Sequence, residues 1–227
     1  MGFKYRTFDQ PTYPQRMQEP ERVIIISCEG RVTEPEYFGA IKRKLNEYIP
    51  ALLEVDVVPK EDNNSSPQDV LNNLERHILD KYDYNRDYDQ MWIVCDREKK
   101  EHRKAHLIDI IPICEEKNYS LAVTNPTFEF WLLLHAVDIE SYDKQQLFDN
   151  QWVTEKKKRR YIDKELSEVL ANGFNKKTGK FNTELVTIEN IKRALEQEKY
   201  FANKRDDILD QLGSNVGDLI RVILPDV

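Results

Sequence analysis

Two short acidic patterns stand directly after compact apolar runs, where carboxylates could hold a cation or move a proton. Glu29 follows Arg22-Val23-Ile24-Ile25-Ile26-Ser27-Cys28, and Asp96 with Glu98 follows Met91-Trp92-Ile93-Val94-Cys95. Three carboxylates drawn together repel one another unless a proton or a cation sits among them. Hard oxygen donors that leave room for water suit magnesium or manganese. Such an ion activates water and offsets the charge that develops in phosphoryl transfer. An acid after a strand also serves as a helix cap or a loop solvator. Each of the three alone is therefore ambiguous; the two patterns on alternating strands are less so.

The elements that would position these acids alternate. After the first strand, Thr33 and Glu36 have capping-box spacing, with Pro35 in the first turn, and open a helix through about residue 45. A second strand is expected over 53–58, a polar loop over 61–67 and a helix over 68–80. The third strand ends at Asp96, and the charged segment 97–104 leads into a helix through about 117. A fourth strand covers 119–123. Thr124-Asn125-Pro126 then offers a cap with proline in the first turn, and a helix follows over 128–135. This alternation predicts an α/β fold, a parallel four-stranded sheet covered by helices on both faces. Ligands bind such sheets outside the carboxyl ends of strands where the strand order reverses. A 2-1-3-4 order would bring Glu29, Asp96 and Glu98 together.

The chain of 227 residues is long enough for one main domain with an extension. The expected division is an exposed N-terminal arm over 1–21, an α/β core over 22–136 and a C-terminal helical extension or subdomain over 137–227. Helices are expected there over 144–148, 160–171, 188–202 and 206–212. They form either a separate subdomain or a layer on the same sheet. No apolar run is long enough to span a bilayer, and the first twenty residues lack a secretory core. Three cysteines without a CxxC pair argue against a disulfide framework or a zinc knuckle and suit a reducing cytoplasm. A net charge of -7 argues against coating nucleic acid by charge alone. A nuclease needs only a local basic track.

Other residues carry a functional and a structural reading side by side. Gly30 and Arg31, in the turn after Glu29, could hold a phosphate, though Arg31 reads equally as a surface charge. Arg97, between two acids, is a candidate phosphate contact. Glu34 is either an acid near the site or a favourable charge in a helix first turn. Phe128, Trp131, Leu132 and His135 fall on one helical face, which reads as core, with His135 a buried, hydrogen-bonded histidine or a supporting residue. Glu129, off that stripe, could approach the crevice as a metal ligand, and Asn125 could support it. The basic runs Lys156-Lys157-Lys158-Arg159-Arg160 and Lys176, Lys177, Lys180 read as solvated faces or as a track for a nucleic-acid backbone. Tyr161, Phe174 and Phe181 could stack on bases or pack. Cys28 and Cys95 read as small buried strand-end residues.

The stretch Cys28-Glu29-Gly30-Arg31-Val32-Thr33-Glu34-Pro35-Glu36-Tyr37-Phe38 resembles the opening motif of RloB-like proteins of the abortive-infection (AbiLii-type) group. Asn125-Pro126-Thr127-Phe128-Glu129-Phe130-Trp131-Leu132-Leu133-Leu134-His135 resembles their second hallmark, with Asp96-Arg97-Glu98 in the expected place between. The resemblance covers 22–136 closely and the remainder loosely. It implies a fold related to Toprim, with Glu29 matching the Toprim glutamate and Asp96 and Glu98 its aspartate-x-aspartate motif. Here the second acid departs from the pattern by one methylene. It further implies a Mg²⁺- or Mn²⁺-dependent nuclease acting on RNA, tRNA or DNA in bacterial phage defence, beside a neighbouring ATPase and with oligomers open. No GxxxxGK[ST] loop occurs in this chain, so any ATP dependence falls to that partner. The alternative from a different class is an inactive Toprim-like binding or sensor module that docks the ATPase or recognises a nucleotide.

Overall fold

The computed structural model describes residues 21–60, 64–81, 85, 88–154 and 159–227. In chain order the strands are β1 (Arg22–Cys28), β2 (Leu53–Val57), β3 (Gln90–Asp96), β4 (Ser120–Asn125), β5 (Trp152–Thr154), β6 (Arg159–Arg160) and β7 (Gly213–Ser214). The helices are α1 (Thr33–Lys44), α2 (Pro67–Lys81), α3 (Glu101–Lys117), α4 (Phe128–Ala136), α5 (Lys144–Asp149), α6 (Tyr161–Val169), α7 (Ile188–Glu198), α8 (Arg205–Ile208) and α9 (Val216–Ile223). The fold is mixed α/β. Its central sheet has five strands in the order β2-β1-β3-β4-β7, and β5 pairs with β6 separately.

The first four strands are parallel, and β1 and β3 are neighbours with Cys28 opposite Val94. That pairing brings the residues after both strands to the same sheet edge. The expected four-strand sheet gains an antiparallel fifth member, β7, which pairs Thr124 with Ser214 and Asn125 with Gly213. Beyond it the Asn215 side chain imitates one more strand residue. Its Oδ1 accepts from Val123 N at 2.7 Å, and its Nδ2 donates to Leu121 O at 3.0 Å.

Alternation along the strands divides the core into two layers. Ile24, Ile26, Cys28, Trp92, Val94 and Ala122 face one cluster, which α1, α4, α6, α7 and α9 complete. Val23, Ile25, Met91, Ile93, Cys95 and Val123 face the other, covered by α2, α3 and α8. The segment after residue 137 thus shares the core of the sheet. Helix α4 is buried all round from Phe128 to His135, where the sequence suggested one core stripe. The sheet lies on one side of it and α6 and α7 on the other, so no face of α4 is left to solvent.

Several local expectations are corrected. Helix α3 begins at Glu101, inside the charged segment. Helix α7 ends at Glu198, because Ala202 leaves the helix to bridge Gly213. Thr33 does not cap α1: the N-cap is Val32, without a side-chain hydrogen bond. Its proposed partner Glu36 is engaged elsewhere, accepting from Phe181 N at 3.1 Å and from Gly179 N. Pro126 lies outside α4, whose N-cap is Thr127. Among the described residues no helix is long and apolar enough to cross a membrane. The expected N-terminal arm, apart from residue 21, lies outside the described residues.

Candidate functional site

A cavity of about 350 Å³ opens at the carboxyl ends of β1 and β3, and its lining includes Glu29, Glu34, Asp96, Glu98 and Glu129. The pairing of β1 with β3 places Glu29, Asp96 and Glu98, the first turn of α1 supplies Glu34, and the first turn of α4 supplies Glu129. Each carboxylate is held. Glu29 Oε2 accepts from Asp96 N at 3.1 Å, which links the strand ends, and Oε1 pairs with the Arg103 guanidinium. Asp96 Oδ1 accepts from Phe128 N at 2.8 Å, at the start of α4, where helix partial charge favours an anion. Glu34 Oε1 accepts from Gly30 N at 2.9 Å. The Glu34 carboxyl lies so close to Gly30 that a Cβ there would stand 2.0 Å from it, and a side chain at this position would have to displace that carboxylate.

The electrostatics are those of crowded, poorly hydrated acids. Burial, then Glu29, Glu34 and Glu129, push the Asp96 carboxyl well above the ordinary range. Burial and Glu129 raise Glu34 to about 7. Burial raises Glu29 as well, although Arg103 opposes it. Glu129 runs the other way. Its burial is outweighed by Lys176, 2.9 Å away, which holds the carboxyl below its usual value. Lys176 also pairs with Asp163 at 2.9 Å and has its own pKa raised by these two acids.

Glu98 borders the cavity with a φ of 42°, a left-handed conformation that costs a non-glycine residue about 1 kcal/mol. Its backbone N–H donates to Pro126 O at 3.0 Å, and its carboxylate pairs with Lys100 at 3.0 Å. Glycine 30 and exposed Arg31 also line the cavity.

Other candidates lie elsewhere. The Arg97 side chain is buried away from the cavity lining, donating through Nε to Leu209 O at 2.7 Å and through Nη1 to Glu98 O and Lys100 O. Those bonds make it a strut for the turn after β3. Asn125 donates through Nδ2 to Ile208 O at 2.7 Å. His135 is fully buried: Nδ1 donates to Trp131 O at 2.9 Å, Nε2 accepts from Tyr37 Oη at 3.0 Å, and that oxygen accepts from Trp131 Nε1 at 3.1 Å. Burial lowers its pKa to about 4, so the ring is neutral. Phe174 and Phe181 are buried and pack. Lys156, Lys157 and Lys158 lie outside the described residues.

Two neighbours of the cavity acids, Arg103 and Asp163, escaped the sequence reading, and a third, Lys176, was placed differently. Arg103, from the first turn of α3, braces Glu29 and also donates to Ser65 O at 2.7 Å. Lys176 was read as part of a surface track, yet it reaches into the cavity, and Asp163 balances it there. Arg103 sits in a run of six charged residues and one histidine, 97–103, where nothing marks which one turns inward. Among the described residues, no group of three His, Cys, Asp or Glu side chains already stands in a metal-holding arrangement. Chemically, the cavity gathers carboxylate oxygens, raises the proton affinity of Asp96 and Glu34, and is lined also by the cations Arg31, Arg160 and Lys176.

Among protein-family models, the one described as RloB-like protein matches residues 24–223. No curated protein and no solved structure matches the chain.

Proposed function

The chain belongs to the RloB-like family, and from that premise and its acidic cavity we propose that it is a divalent-metal-dependent nuclease. The observation that carries this reading is the convergence of Glu29, Asp96, Glu98 and Glu129 on one cavity, with a raised proton affinity at Asp96. Buried carboxylates crowded in this way are ones that a cation would relieve. The donor set is all oxygen and suits Mg²⁺ or Mn²⁺. When bound, such an ion supplies water activation and charge stabilisation at the phosphate.

The chain's own groups have separable tasks. Asp96, anchored by Phe128 N–H, and Glu98 present carboxylates on one side of the cavity. Glu129 completes the donors, and ion binding there competes with Lys176. Glu29, fixed by Asp96 N–H and Arg103, takes or returns a proton or serves as a further ligand. Arg31 and Arg160 at the lining meet the substrate backbone.

A Toprim-like site, an RNA, tRNA or DNA substrate, an ATPase partner and a role in bacterial phage defence follow from the resemblance of the two long motifs. A reducing cytoplasm suits Cys28, Cys95 and Cys114, all buried and free. One observation favours a second reading, an inactive binding module: Arg103 and Lys176 already offset part of the acidic charge.

Cleavage of pooled tRNA and of supercoiled and single-stranded DNA, with Mn²⁺, Mg²⁺ or EDTA, tests this, alone and with the neighbouring ATPase. Metal-dependent cleavage lost in both Glu29→Gln and Asp96→Asn is expected. Silence of folded protein in every condition would leave the binding module.

A further inference from the structure

Beside the acidic cavity lies a second one, of about 460 Å³, lined in part by Gln145, Gln146, Asp149, Gln151, Trp152 and Tyr161. Its size is within the range that small ligands occupy. Trp152 opens β5 and is 53% exposed, whereas the chain's other two tryptophans, Trp92 and Trp131, are 6% and 0% exposed. An indole left in water forfeits a large apolar gain, which a flat partner would recover. The Arg160 guanidinium lies 4.6 Å over its ring. Arg160 also lines the acidic cavity, so one cationic side chain borders both.

The rest of the lining is mostly polar and includes Asp143, whose Oδ1 accepts from Gln146 N at 2.8 Å. Exposed glutamine amides offer donors and acceptors of the kind that nucleobase edges complement. The Asp149 charge, which would repel a nucleic acid, is paired with Lys99, whose ammonium also sits 4.3 Å over the Phe148 ring.

We propose that the Trp152 cavity is a subsite for one unpaired nucleobase of a single strand whose backbone runs past Arg160 to the acidic cavity. Only the strand's course rests on the nucleolytic reading; the stacking chemistry stands apart from it. Stacking on an aromatic platform takes any base with a free face. A base inside a duplex offers none, so the subsite selects single-stranded substrate or loops.

The full chain in EDTA, where cleavage is absent, provides the test. Because Trp92 and Trp131 are buried, quenching of tryptophan fluorescence reports chiefly on Trp152. Pentamers of uridine and of deoxythymidine are expected to quench it saturably, and an abasic phosphodiester of equal length is not. Their relative strength separates RNA from DNA. By anisotropy of labelled pentamers, Trp152→Ala should bind at least about fivefold more weakly, the lower end of one base stack, and Trp152→Phe should keep most of the affinity. Equal binding of the abasic strand, or unchanged affinity in Trp152→Ala, overturns the subsite. The two readings fail separately. Trp152-dependent binding without cleavage in any metal sinks the nuclease, and cleavage indifferent to Trp152→Ala sinks the subsite.

Discussion

Arg103 decides how readily Glu29 is ionised. Burial drives the Glu29 carboxyl up, and the Arg103 charge and hydrogen bond pull it back. In Arg103→Met that opposition is lost, and of the lowering contacts the Asp96 N–H bond remains against burial. If Glu29 works as a base or ligand in its ionised form, the acid limb of the pH profile of kcat/KM should move to higher pH. Arg103→Lys, which keeps the charge, should fall between, and a limb that stays in place in both variants would deny Arg103 this positioning role. Glu29 and Asp96 stood out in the sequence because acids directly ending apolar strands have few places to go. Arg103 and Lys176 lie among charged neighbours, and only the return of α3 and of the 176–182 loop over the sheet edge turns them inward.

Helix α9 shows the same limit at the level of elements. Val216, Leu219, Ile220 and Ile223 have the spacing of one helical face and are all buried, so its periodicity was legible although the sequence reading stopped short of it. What holds its start was not. Glu198, near the end of α7, is 2% exposed and accepts from Gly217 N at 2.9 Å, a carboxylate at a helix N-terminus. A Cβ on Gly217 would stand 2.0 Å from the Glu198 carboxyl. Gly217→Ala should therefore destabilise the protein by roughly 2 kcal/mol in urea unfolding, as overpacking does. In a Glu198→Ala background the collision is gone, and the same change should be neutral or stabilising by up to about 1 kcal/mol. An equal cost in both backgrounds would show that Glu198 is not what excludes the side chain. Strand β7 had no comparable signal, since Gly213 and Ser214 carry no alternation to read and join the sheet only because β4 offers an unpaired edge.

Across the whole molecule, stability and the acidic site are coupled through protons. Glu34 and Glu198 each have a folded-state value of about 7 against an ordinary 4.5, for which burial is the leading cause. A raised carboxyl stabilises the fold fully below its unfolded value and loses that contribution as pH climbs through the folded one, here from about 4.5 to 7. Each shift corresponds to roughly 3 kcal/mol at most. His135 acts in the opposite sense, since its lowered value of about 4 costs stability as pH falls below about 6.5. The Glu34 part is isolated by difference. Glu34→Gln should gain stability over the wild type as pH rises from 5 to 8, read from urea midpoints at each pH. A cation in the cluster would do what the proton does, and do it where the proton has left. Added Mn²⁺ should then raise the melting temperature more at pH 8 than at pH 5, and Asp96→Asn should shrink that increment while Glu198→Gln, away from the cavity, leaves it. An increment independent of pH, or indifferent to Asp96, would place the ion outside the carboxylate cluster and detach the metal from the acids gathered at the ends of β1 and β3.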